Sequence, residues 1–185
     1  MKSILMSIKP KWIAKILNGE KTVEVRKRFP VDYRGWVYIY CTKDKETLVI
    51  NPYGGYSVVP NKYKNEYFNG KVVARFWCDN VEYYEDLAFW NEEHEKTTCL
   101  KPSEFFDYMF HIRANRSCRL IHISQLEIFD KPKELSKFRK TFNYKCNHDC
   151  INCDMSWKEP SDYRFHFECE LTKAPQSWQF IESEE

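Results

Sequence analysis

The sequence predicts a mixed α+β fold, a small barrel of short strands flanked by short helices. Three observations lead there. Most apolar stretches alternate with polar residues at the period of two that marks a half-buried strand, and few carry helical spacing. Aromatic residues form 17% of the chain, with 13 Phe, 12 Tyr and 6 Trp against 5 Gly, which favours a sheet-rich interior packed with rings. At 185 residues and 43% hydrophobic content the chain can bury one core, so it is read as a single domain over 1–185.

Each element has a local reason. Residues 3–8, SILMSI, form a first apolar strand. Pro10 suits the first turn of a helix, and Trp12, Ile13, Ile16 and Leu17 follow at helical spacing. Asn18 and Gly19 end that helix, because glycine accepts the left-handed conformation of a C-terminal cap. Thr22 to Lys27 is a charged strand, and Trp36 to Cys41 another. Residues 51–70 are rich in turn formers and tyrosines and read as a long excursion or irregular hairpin. A strand then carries Val72, Ala74 and Phe76 on one face. Glu92 to Phe110 is helical, with a fresh start at Pro102. One strand is expected over 119–129, a single helical turn in KPKELSKF, and a closing strand over 177–181.

The net charge is +2, but the halves differ. Residues 1–75 hold 15 Lys+Arg against 6 Asp+Glu, and residues 76–185 hold 14 against 21. That asymmetry predicts a basic face built by the first half, as an anionic ligand needs, or a scatter of charges without one. The first residues lack the apolar core and cleavage site of a signal peptide, and no segment has the length of a membrane span. A cytoplasmic protein is expected, with its 8 Cys as reduced thiols or metal ligands.

The charged strand carries the chemistry. Lys21 leaves the helix end in a glycine-opened turn, where a flexible cation can meet phosphate or a base carbonyl. Thr22, Glu24 and Arg26 share one strand face. Arg26 can grip phosphate through two N–H groups, and Glu24 can accept from an exocyclic amine. Lys9, Arg28 and Arg75 would add to an anion site. The alternative is a cross-strand charge ladder on a solvated face.

The string LMSIKPKWIAKILNGEKTVEVRKR, residues 5–28, resembles the opening signature of ASCH domains, members of the PUA-like superfamily of nucleic-acid-associated β-barrels. The resemblance continues through VYIYCT, NGKVVARF, HISQLEIFDKPKELSKF and APQSW, as in a bacterial or phage-type subgroup with a cysteine-rich insert, and leaves out 51–68 and 141–172. It implies a PUA-like pseudo-barrel with a cleft beside the first helix, suited to RNA or a modified nucleotide or nucleoside. Lys9, Lys21, Thr22, Glu24, Arg26, Arg28 and Trp178 are the residues expected to bind it. Some relatives resemble acetylcytidine amidohydrolases with a lysine, a threonine nucleophile and a glutamate. In an enzyme of that kind Lys21, Thr22 and Glu24 would be the catalytic set. The lysine falls on Lys21, but the threonine position is Glu24, which has no hydroxyl to attack with. Thr22 would have to substitute, and the third partner would lie at Glu93 or Glu95. The reading is therefore a binding module, with a hydrolase on the same cleft, amidohydrolase-like or ribonuclease, as the alternative.

The cysteines cluster late. Cys150-x-x-Cys153, twelve residues, then His166-x-x-Cys169, with Cys146 just upstream, is a spacing that holds zinc in a reducing compartment. Five candidates compete for four positions. The resemblance, which joins three clustered cysteines to one later, favours Cys146, Cys150, Cys153 and Cys169 with His166 as competitor. Four protein ligands would make a closed, structural zinc that staples the insert at 141–173. Unligated thiols are the alternative. Cys41, Cys78, Cys99 and Cys118 lie within strand or helix patterns, as buried small hydrophobes do.

Trp178 follows Pro175 and is read either as a base-stacking ring or as core. Tyr53, Tyr56, Tyr63 and Tyr67, interleaved with Lys62 and Lys64, suit either a nucleic-acid strand or a hairpin packed on the barrel. Arg113, Arg116 and Arg119 form a second basic run. His94, His111 and His122 lack metal-like spacing, and no phosphate-cradling glycine loop is present.

Overall fold

The computed structural model describes residues 2–60, 67–86, 88–110, 117–141 and 170–182. Strand β1 (Lys2–Ile8) leads into helix α1 (Pro10–Leu17), which begins on its proline and buries Ile13, Ala14, Ile16 and Leu17. Gly19 adopts φ +74°, and its N–H donates to the Ile16 carbonyl to close the helix. The charged strand β2 (Val23–Arg26) follows, then β3 (Gly35–Cys41), β4 (Glu46–Ile50), β5 (Tyr56–Pro60), β6 (Val72–Cys78) and β7 (Val81–Tyr84). Helices α2 (Glu92–Thr98) and α3 (Pro102–Phe110) precede β8 (Cys118–His122), β9 (Ser124–Lys133) and β10 (Trp178–Glu182).

The strands assemble into a five-stranded sheet in the order β10-β1-β3-β6-β9, a three-stranded sheet β2-β8-β7, and the hairpin β4-β5. The single strand expected over 119–129 is two strands in two sheets. Gln125 takes φ +44° at the corner, and the Ile123 N–H donates to the Thr22 carbonyl as the chain crosses. β6 and β7 make the matching crossing at Asp79-Asn80, where the Asn80 carbonyl accepts from His122 N–H. No closed barrel is seen among the described residues: the strands form separate sheets, each with its own edges.

Three apolar layers result. The largest lies between the five-stranded sheet, α1 and the hairpin, and includes Ile4, Met6, Ile13, Ile39 and Phe76. A second packs α3 on the small sheet through Phe105, Met109, Val23, Val25 and Leu120. A third covers the outer sheet face with Tyr38, Phe138 and Leu171. Of the stretch 51–70, the described residues form the turn between β4 and β5, β5 itself and, at 67–70, the approach to β6. Two asparagines fasten that hairpin. Asn18 exchanges two hydrogen bonds with the backbone of Tyr56, and Asn69 bonds Leu48 N–H and the Glu46 carbonyl. Tyr56 packs on Phe68, as hairpin packing expects, whereas Tyr53 is fully exposed at the tip.

The helix expected over 92–110 breaks at Cys99, which takes φ +55°. Arg75 lies on the large sheet, over the Trp36 ring and paired with Glu127. Cys146, Cys150, Cys153, His166 and Cys169 lie outside the described residues, as do Tyr63, Lys62, Lys64, His111, Arg113 and Arg116. The two ends of the cysteine-rich stretch meet: Arg139 bridges Glu170, and Leu171 N–H donates to the Phe138 carbonyl.

Burial pushes the thiols of Cys41 and Cys118 up to about 12 and that of Cys78 to about 11, from an ordinary 9.0. The folded chain therefore keeps protons that the unfolded chain releases. Their stabilising contribution is complete below pH 9 and is lost as pH rises towards 11 and 12, at about 1.4 kcal/mol per pH unit for each thiol. Denaturant midpoints are expected to fall between pH 8.5 and pH 10.5, and Cys78→Ala to flatten that slope. An unchanged slope in the variant would refute the assignment.

Candidate functional site

The turn after α1 sends Lys21 inward rather than to solvent. Lys21 N–H donates to the Lys15 carbonyl, and Thr22 N–H to the Thr97 carbonyl at the end of α2, which pins the chain between two helices. The Lys21 side chain is 2% exposed. Its ammonium donates to the carbonyls of Val23 at 2.8 Å and Thr98 at 2.7 Å and lies 3.3 Å from Glu24 Oε2. An ammonium has three donors, and all three are spent inside the protein. Arg26 sits 3.1 Å from Glu24 Oε1 and donates to the Ser7 carbonyl at 2.8 Å. The carboxylate of Glu24 is thus clamped between two cations, with further lone pairs open to another donor.

Burial pulls the Lys21 ammonium below its ordinary value, while Glu24 beside it pulls the other way. Burial raises the Tyr108 phenol on α3, against the lowering influence of nearby Arg26.

These residues line a cavity of about 600 Å³ between α1, β2, α3 and the residues after β3. That volume falls in the range that accepts small organic ligands. Trp12 lines it, with Lys11 at 4.2 Å and Lys21 at 5.5 Å from its ring centre. Lys11 is also paired with Glu104 at 3.3 Å. Thr42 lines the cavity as well, and its buried hydroxyl has no hydrogen-bond partner among the described residues.

The residues expected from the sequence divide sharply. Lys9, Lys21, Glu24 and Arg26 line the cavity; Thr22, Arg28 and Trp178 do not. Thr22 precedes β2 and is exposed, its backbone bonded on both sides, so it cannot serve the cavity as a nucleophile. Trp178 packs edge-on against Phe29 and Phe180 and donates from its indole to the Arg28 carbonyl, a structural post rather than an open stacking ring. Glu93 and Glu95 on α2 do not reach the cavity; Glu104 and Asp107 on α3 do. The lining holds Lys9, Lys11, Lys21, Arg26 and Lys43 against Glu24, Asp44, Glu104 and Asp107, so it is nearly balanced.

Sequence reasoning missed Trp12, Lys43 and Tyr108. Trp12 carries an apolar helical spacing that reads as core. Glu104 and Tyr108 are four apart on α3, a signal that they share a side of the helix, but not of what that side meets. His122 and Glu82 form a separate pair on the small sheet, with the Tyr84 hydroxyl donating to the same carboxylate.

The geometry can be set beside known structures. No family model matches the chain, and no curated protein matches it. Among solved structures, the chain is similar to the ASCH protein of Zymomonas mobilis at 16% identity and TM-score 0.51, over 72% of this chain and 73% of that one. A tyrosine-to-phenylalanine mutant of that protein matches at 15% identity and TM-score 0.51, over 73% and 77%. The fold is ASCH-like. At this identity the similarity speaks of the fold alone. In that ASCH-like fold the cavity lies beside the first helix, and among the described residues no helix is long and apolar enough to cross a membrane.

Removing the central carboxylate leaves two cations facing each other. Glu24→Ala is expected to cost about 3–5 kcal/mol in denaturant unfolding, and the Lys21→Met/Glu24→Leu double variant to recover much of it. Additive costs would mean that the pair is not coupled. Because the folded Lys21 value is depressed, the folded chain releases that proton at lower pH than the unfolded chain. Wild type should therefore gain stability relative to Lys21→Met as pH rises towards 10.5, a comparison in which the buried thiols cancel.

Proposed function

We propose that the cavity binds the base of a nucleotide, as a recognition module for RNA or for a modified nucleotide. The observation that carries this reading is Glu24, a carboxylate fixed by Lys21 and Arg26 in the wall of a cavity that an indole and a phenol also line. The two cations hold the Glu24 carboxylate in place as an acceptor, which suits the exocyclic amine of a base. Trp12 and Tyr108 supply aromatic surface on which a base can lie. A neutral heterocycle fits better than an anion here, since the ammonium of Lys21 has no free donor. The ASCH-like fold supports a nucleic-acid ligand by analogy alone.

The hydrolase alternative draws on the depressed Lys21 ammonium, which resembles a tuned base. It needs a nucleophile that Thr22 does not supply at this cavity. Turnover of acetylcytidine, or RNA cleavage, abolished by Lys21→Ala would favour it. For the cysteine-rich insert we propose a structural zinc on four of Cys146, Cys150, Cys153, His166 and Cys169, within a reducing, cytoplasmic setting. The support is their spacing, together with the bridged ends at Arg139 and Glu170.

Calorimetric titration with nucleosides tests the base reading. Binding is expected, and Trp12→Ala should weaken it by about tenfold or more, the scale of a lost base stack. No detectable binding by any nucleoside or short RNA sinks the reading. Purified protein should carry about one zinc per chain, and Cys150→Ser should lower that content in elemental analysis.

A further inference from the structure

We propose that the mouth of the cavity holds one phosphate group, so that the preferred guest is a nucleoside monophosphate, or one phosphate of a chain, entering base first. The inference rests on the base-binding reading and adds to it a second subsite with its own residues. Most cations of the lining are already committed: Lys21 and Arg26 to Glu24, Lys11 to Glu104. Lys9 and Lys43 also line the cavity and are exposed, and neither is ion-paired with another described residue.

The backbone favours the same place. Lys9 is the N-cap of α1, with no side-chain cap and no acidic residue in the first turn, and the residues from Ser7 to Lys9, Lys11 and Trp12 line the cavity. Pro10 brings no N–H and the Trp12 N–H is bonded to the Lys9 carbonyl, so the helix start adds its dipole rather than a set of free donors, and the two lysines carry the subsite. The stem of Lys43 lies across Gly70, where an added Cβ would come 2.8 Å from Lys43 Cε; the glycine gives the lysine room to lie there. Two carboxylates limit the guest. Asp44 accepts from Lys45 N–H, and Asp107 stands on α3. Both repel further negative charge, which suits one phosphate rather than a polyphosphate.

Titration of the folded chain with cytidine, adenosine, their monophosphates and ATP tests this. At low salt each monophosphate is expected to bind about tenfold or more tightly than its nucleoside, and no more weakly than ATP. The advantage should shrink to less than about threefold at about 0.5 M salt, and likewise in a Lys9→Ala/Lys43→Ala variant shown folded by circular dichroism. Equal affinity for nucleoside and monophosphate overturns the phosphate subsite while leaving the base reading intact. So does an advantage that survives the double substitution, or a marked preference for ATP. Absence of binding by nucleosides and monophosphates alike overturns both.

Discussion

The buried ammonium of Lys21 is the constraint on which the site depends. A charge so fully out of water is tolerated only when each of its donors is met, and here two carbonyls and one carboxylate meet them. Those partners come from different parts of the chain. Val23 and Glu24 belong to β2, and Thr98 ends α2. Arg26 extends the network to β1 through the Ser7 carbonyl. One charge cluster therefore ties β1, the small sheet and α2 to one another.

The cavity follows from that arrangement. Because β2 pairs with β8 in the small sheet while β1 pairs with β3 and β10 in the large one, a seam opens where the two sheets part. Helix α1 covers one side of the seam and α3 the other, and each offers an apolar face to its own core and both charged and aromatic residues to the gap. The gap has nearly balanced charge, so selectivity has to come from directed hydrogen bonds and ring contacts rather than from a broad field.

Aromatic residues divide between support and recognition according to their partners. Trp178 is held by a hydrogen bond and two edge-on rings, and Trp90 lies stacked on Phe105 at 3.7 Å. Trp12 does both: it packs against the first and second cores and also borders the cavity, with Lys11 and Lys21 near its ring.

Local signals settled much of the chain. Apolar runs placed β1 and β3, alternation placed β6, proline and glycine bounded α1, and Lys21, Glu24 and Arg26 stood out as charged residues at a strand entrance. These depend on neighbours within a few positions, which a sequence displays directly. What the tertiary structure decided was where those charges point and what they meet. Lys21 turns inward because carbonyls from Val23 and Thr98 wait there, and Thr98 lies 77 residues away. The split of 118–133 between two sheets, the exclusion of Thr22 and Trp178 from the cavity, and the arrival of Tyr108 and Lys43 in it all rest on contacts between distant segments. No periodicity encodes such contacts, because they arise only when separate elements compete for the same buried space.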